Sequence, residues 1–193
     1  MVDDKKQNSA ELLGKVYVSI LLIIFGGIVL HAPLIVGLGT LFPDYDLLIK
    51  SWKEILMLIA GLIILIVLYR TKQFQILRDP VVIAIGVYAI LCLLLLGHKS
   101  TGLASNLAGL AIDLRYLLYF GLVYIAIRLY PDYRRIFVQV GIVGALVVLI
   151  FALLQVFILP HDVLKHIGYN LNTISPYLTV DQNNDYIRIN STL

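Results

Sequence analysis

Two charged side chains, Asp113 and Arg115, lie inside an apolar stretch that is long enough to cross a bilayer. No other Asp, Glu, Lys or Arg occurs between Lys99 and Arg128. A guanidinium near the middle of a membrane costs about 2.5–3.5 kcal/mol on insertion scales, so it usually faces a polar cavity or a partner. Its planar fork of N–H donors also suits phosphate. Arg115 is therefore the first candidate for an anion-binding side chain.

The spacing of these two residues decides whether they neutralise each other. Side chains two residues apart on a helix do not face each other, so Asp113 and Arg115 are not expected to pair. Each must find a partner on another helix or in water, and Gln155 is a candidate neighbour of Arg115. Two alternatives stay open: Arg115 lines an anion-binding cavity that is open to the outside, or it is a buried polar clamp between helices.

The composition is that of a membrane protein with several spans. Sixty per cent of the residues are apolar, only 14% are charged, and the mean hydropathy is +0.92, so a soluble domain is excluded. No basic patch interleaved with aromatic residues points to nucleic acid. The histidines do not have the spacing of metal ligands, since His161 and His166 do not share a helical face. We expect no metal and no cofactor.

Five apolar runs predict an all-α bundle of about five transmembrane helices. A polar tail, disordered or interfacial, is expected over residues 1–14, a transmembrane region over 15–159 and an extracytoplasmic loop over 160–193. Pro33 is expected to kink the first helix, and Pro160 to stop the last one. The predicted spans are 16–38, 55–69, 80–97, 107–127 and 136–159.

The distribution of basic residues predicts the orientation, because cytoplasmic segments carry an excess of Lys and Arg. Apart from Arg115, more basic residues fall on the side of the N-terminus than on the other, so the N-terminus is expected to be cytoplasmic in the inner or plasma membrane. The first side holds Lys5, Lys6, Lys15, Arg70, Lys72, Arg78, Arg128, Arg134 and Arg135, and the second holds Lys50, Lys53, Lys99, Lys165 and Arg188. Because the loop after Pro160 stops without a closing element, we expect a truncated chain.

Three short stretches carry a resemblance to a known family. They are Ser51-Trp52-Lys53-Glu54-Ile55-Leu56, Asp113-Leu114-Arg115-Tyr116-Leu117-Leu118 and Tyr186-Ile187-Arg188-Ile189-Asn190-Ser191-Thr192-Leu193. In this order they resemble the N-terminal half of the O-antigen ligase and polymerase family. The last stretch is similar to the start of that family's external segment.

The resemblance implies a metal-independent transfer of a glycan from undecaprenyl pyrophosphate to a lipid or glycan acceptor on the outer face. Arginines of the family bind the pyrophosphate; Arg188 matches that role best and Arg115 is the second candidate. The family's catalytic histidine would follow residue 193, so no catalytic residue is assigned and the chain alone is expected to be inactive. The partners implied are the lipid-linked glycan and membrane lipids.

Two other functions fit the residues. In the first, the chain is a transport module in which Arg115 and Asp113 line the permeation path, although only Pro33 suggests the broken helices that many transporters have. In the second, it is a non-catalytic membrane scaffold in which Arg115 clamps helices together.

Overall fold

A computed structural model of the chain describes residues 2–95, 103–160, 163–169, 177–179 and 187–189. These residues are helical apart from turns and one short antiparallel pair of strands, so the predicted all-α class is confirmed. The helices are α1 (Val2–Gly27), α2 (His31–Leu41), α3 (Asp46–Lys50), α4 (Trp52–Thr71), α5 (Pro80–Leu95), α6 (Leu103–Leu129) and α7 (Arg134–Phe157), and the strands are β1 (Tyr177–Thr179) and β2 (Ile187–Ile189).

Three helical segments of the described residues are long and apolar enough to cross a membrane, fewer than the five predicted. They are Ser9–Leu41, Trp52–Thr71 and Pro131–Phe157. The 16 residues of α5 form a shorter apolar helix, about 24 Å long against a hydrocarbon core of about 30 Å. The 27 residues of α6 cover the predicted fourth span and contain Asp113, Arg115 and Arg128.

The first apolar run is joined at its N-terminal end to the polar residues before it. α1 begins at Val2 and continues through the tail that was predicted to be disordered or interfacial. The ion pair between Glu11 and Lys15, with 2.9 Å between oxygen and nitrogen, lies one helical turn apart and supports this extension. At the other end, a 3₁₀ turn over Ile28–Leu30 separates α1 from α2. The ring of Pro33 crowds the carbonyl four residues earlier, at Val29, which explains the break.

The chain divides into two compact units. The first unit contains Met1–Leu21 and Glu54–Arg134. In this unit two phenols join α1 to α6 reciprocally: Tyr17 donates to the carbonyl of Leu122 at 2.6 Å, and Tyr119 donates to the carbonyl of Leu21 at 2.8 Å. Buried phenols need such partners, so these bonds hold α6 in place on α1.

The second unit contains Leu22–Lys53 and Arg135–Leu193. Two glycines of α7 lie close to side chains of the first apolar run. A Cβ at Gly144 would lie 2.9 Å from the Val29 side chain, and one at Gly141 would lie 3.2 Å from the Phe25 ring. Glycines at these positions let two helices approach closely.

The remaining elements of the second unit are short. α7 ends at Phe157, three residues before the proline that was predicted to stop it. Val36 of α2 forms a buried core with Leu164 and Tyr169, which follow α7 in the chain. β1 and β2 pair antiparallel, and Leu178 lies opposite Arg188. Around α3 several large apolar side chains are exposed, as expected of a segment at the level of lipid headgroups; they are Leu41, Phe42, Tyr45, Leu47 and Leu48.

Candidate functional site

The candidate site of the first unit is an ion pair between α4 and α6. Glu54 lies in the first turn of α4, where the positive end of the helix dipole favours a carboxylate. Its Oε1 is 3.9 Å from Nη1 of Arg115 in α6. The side chains of Arg115 and Glu54 are 30% and 32% exposed. The charge of Arg115 is thus offset by a carboxylate on another helix.

The neighbouring phenol, Tyr116, orients the same guanidinium. Nη2 of Arg115 donates to the Tyr116 hydroxyl at 3.1 Å, and Cζ of Arg115 lies 4.7 Å from the centre of the Tyr116 ring. Stacking of a guanidinium on an aromatic ring is favourable, more so away from water. Arg115 is therefore held by a charge on one side and by an aromatic ring on the other.

The pair does not use all of its hydrogen-bonding groups. Among the described residues, Nε of Arg115 and Oε2 of Glu54 are buried without a hydrogen-bond partner. At 3.9 Å, the contact is also longer than the 2.7–2.9 Å or so of a charge-assisted hydrogen bond. Buried polar atoms normally have partners. Nε–H of Arg115 needs an acceptor, which an oxygen of water or of a ligand can supply, and Oε2 of Glu54 needs a donor, which water can supply.

The predictions about the partners of Arg115 in α6 have different outcomes. As predicted, Arg115 does not pair with Asp113: its partner is Glu54, which was not among the predicted neighbours. Gln155, the suggested neighbour of Arg115, belongs to the second unit; it is 1% exposed, and its Nε2 has no hydrogen-bond partner among the described residues. The ion pair with Glu54 agrees with the alternative of a clamp between helices.

The other predicted site residue, Arg188, is in β2 of the second unit. Its backbone lies opposite Leu178, and its side chain is outside the described part of the structure. Arg115 belongs to the first unit. The shared role of the two arginines in binding pyrophosphate stays a prediction.

The second unit contains a polar cluster that the sequence did not reveal. The indole N–H of Trp52 donates to Nδ1 of His31 at 3.0 Å, and Nζ of Lys53 lies 2.8 Å from Nε2 of the same ring. His31, the first residue of α2, is thus bonded to the two residues that begin α4.

A second carboxylate of the first unit, Asp79, has partners for both of its oxygens. Oδ1 accepts the backbone N–H of Val81 at 3.0 Å and so caps the start of α5, whose first residue is Pro80. Oδ2 accepts the hydroxyl of Tyr124 at 3.0 Å and lies 3.3 Å from Nη2 of Arg128. This arrangement anchors the start of α5 to the end of α6.

Tyr169 of the second unit is buried to 1% exposure, and its hydroxyl has no hydrogen-bond partner among the described residues. This burial raises the pKa of the Tyr169 phenol, because the phenolate would be poorly solvated. No group of three or more His, Cys, Asp and Glu side chains with metal-binding geometry occurs in the described ranges.

Comparison with known proteins found no relative of the chain. No family model matches the chain, and neither a curated protein nor a solved structure matches it.

Proposed function

We propose that this chain is the N-terminal membrane part of a glycosyltransferase of the O-antigen ligase type. The enzyme would transfer a glycan from undecaprenyl pyrophosphate to a lipid or glycan acceptor. In this proposal about five helices cross the cytoplasmic membrane, the N-terminus is cytoplasmic, and residues 160–193 lie outside. Arg115 and Arg188 bind the pyrophosphate.

The observation that carries the proposal is the guanidinium of Arg115 between Glu54 and Tyr116, whose Nε–H has no hydrogen-bond partner among the described residues. It joins two of the three stretches on which the family resemblance depends. Glu54 lowers the cost of placing a cation in the apolar region, yet at 3.9 Å it leaves N–H donors of Arg115 without a carboxylate partner. Such donors can stabilise the charge that develops on a departing pyrophosphate.

The clamp between α4 and α6 is the second candidate function, and the same ion pair supports it. If the pair only clamps the two helices, two neutral side chains of similar shape can take its place, because no charge is then left unpaired. If the pair binds an anion, the positive charge of the guanidinium is required. The double variant Glu54→Gln with Arg115→Gln therefore separates the two, because it keeps the shape, removes both charges and leaves no buried carboxylate unpaired.

The experiment measures binding of undecaprenyl pyrophosphate, with undecaprenol as the neutral probe, to the purified chain in phosphatidylcholine nanodiscs by native mass spectrometry. The wild type should prefer the pyrophosphate by about tenfold or more, which corresponds to one charge-assisted contact. The double variant should lose that preference. Arg135→Gln, a change of an exposed arginine, is the matched control and should keep it.

Equal preference of the wild type and the double variant, with unchanged helicity, would contradict the role of Arg115 in binding. The same substitutions in an active full-length enzyme test transfer. Glycan transfer at the normal rate by the double variant would leave the clamp as the function of this pair.

A further inference from the structure

Asp113, the second charged residue of the apolar stretch, faces a groove between α5 and α6 in the first unit. The groove has a volume of about 590 Å³ and apolar walls around this one carboxylate. Asp113 is exposed and has no ion pair or hydrogen bond among the described residues, while the cation two positions away is held by Glu54. An ionised group within a membrane normally pairs or faces water.

The walls of the groove have the residue spacing of a surface that can bind a third helix. Each wall repeats the spacing i, i+3, i+4, i+7, which is one face of a helix over two turns. α5 and α6 run antiparallel, since Asp79 meets Tyr124 at one end and Tyr88 lies near Asp113 at the other. The wall from α5 consists of Val81, Ala84, Ile85 and Tyr88, and that from α6 of Asp113, Tyr116, Leu117 and Phe120.

We propose that this groove binds a transmembrane helix of a partner protein that carries a lysine or arginine at the depth of Asp113. Charge complementarity selects this occupant: Asp113 is the one charged residue of the groove, and its other lining residues are apolar or are the tyrosines Tyr88 and Tyr116, so an apolar helix with one base matches it. A second copy of the chain does not offer that base on α6, where Arg115 is already paired with Glu54. The proposal requires α6 to lie in the membrane but does not depend on glycosyl transfer.

The test uses the purified chain and synthetic helices in phosphatidylcholine vesicles, which have no primary amine in their headgroups. One peptide is a polyleucine transmembrane helix with a single central lysine, and its control has leucine at that position. Association is followed by energy transfer between a dye at the N-terminus of the chain and a dye on the peptide. The lysine peptide should bind about fivefold or more tightly than the leucine peptide, in line with polar contacts between model helices.

Three variants locate the effect. Asp113→Asn should reduce binding of the lysine peptide to the level of the leucine peptide. Ala84→Trp should block both peptides, because the indole fills the groove without changing its charge. Asp132→Asn, in the turn that follows α6, is the matched control and should bind like the wild type.

Two results would overturn the proposal. In the first, the lysine peptide binds Asp113→Asn as tightly as the wild type, or binds the wild type no better than the leucine peptide does. In the second, replacing phosphatidylcholine by phosphatidylethanolamine abolishes the preference for lysine, which would make a lipid amine the occupant of the groove. Neither result bears on pyrophosphate binding by Arg115, so the two proposals fail separately.

Discussion

Two arginine–carboxylate pairs connect α6 to other helices of the first unit, and they are built differently. Asp79 has partners on both oxygens, at 3.0 Å, 3.0 Å and 3.3 Å, and its arginine, Arg128, is 60% exposed. Glu54 and Arg115 are 3.9 Å apart, about one third exposed, and each keeps a buried polar atom without a partner. Both pairs join an arginine to a carboxylate, but they differ in how many of their hydrogen-bonding atoms have partners.

The difference follows from position along the helix. Asp79 stands at the start of α5, where free backbone N–H groups need an acceptor and solvent can reach the arginine. Arg115 lies in the middle of α6, where the backbone N–H and C=O groups are already bonded within the helix, so whatever completes its hydrogen bonds must come from another side chain, water or a ligand. The pair at the helix end therefore has all of its carboxylate oxygens in use, and the pair in mid-helix keeps hydrogen-bonding groups without a partner.

The largest effect on stability is expected from Arg115→Gln, which leaves Glu54 without a cation. Breaking a fully buried pair costs about 3–5 kcal/mol, and the one-third exposure of this pair reduces the expected loss to about 2 kcal/mol. Unfolding in mixed micelles, followed by helical circular dichroism, measures the change. Adding Glu54→Gln should recover about 1–2 kcal/mol of that loss.

Arg135→Gln serves as the reference for this cycle, because Arg135 is exposed and has no ion pair among the described residues. A stability of Arg115→Gln equal to that of Arg135→Gln would show that the mid-helix pair contributes nothing. The comparison between the two arginine–carboxylate pairs would then lose its basis.

A smaller loss, about 1–2 kcal/mol, is expected from Asp79→Ala, since it removes the cap of α5 together with the acceptor for Tyr124 and Arg128. Asp79→Asn should lose about half as much, because its amide oxygen can still cap the helix. The same unfolding measurement applies. If asparagine proves as costly as alanine, charge rather than capping is the main contribution of Asp79.

Several features of these helices could be predicted from the sequence because they depend on one helix alone. The spacing of Asp113 and Arg115 excluded their pairing, and Arg115 pairs with Glu54 instead. The break near Pro33 follows from the ring of this proline, which crowds the carbonyl four residues earlier. Local chemistry of this kind needs no knowledge of neighbouring helices.

The partners across helices could not be predicted in this way. The position of Arg115 along α6 indicates a depth but not a direction around the helix, so Gln155, expected at a similar depth, was proposed as its neighbour and Glu54 was not. The bonds of His31 to Trp52 and Lys53 also join residues far apart in the chain.

The smallest loss of stability is expected from Arg128→Gln, and this variant is the strictest test of the difference between the two ion pairs. Arg128 makes the same kind of ion pair as Arg115, at a shorter distance of 3.3 Å, so distance alone would rank it first. The exposure of Arg128 reverses that ranking, because water and salt screen its charge. Replacing it by the neutral amide of glutamine should therefore lower the free energy of unfolding by less than about 0.5 kcal/mol. The loss should shrink further in 0.5 M salt, where the screening length is only a few ångströms. A loss from Arg128→Gln equal to that from Arg115→Gln in the same micelles would show that pairing, whatever its depth, governs both sites.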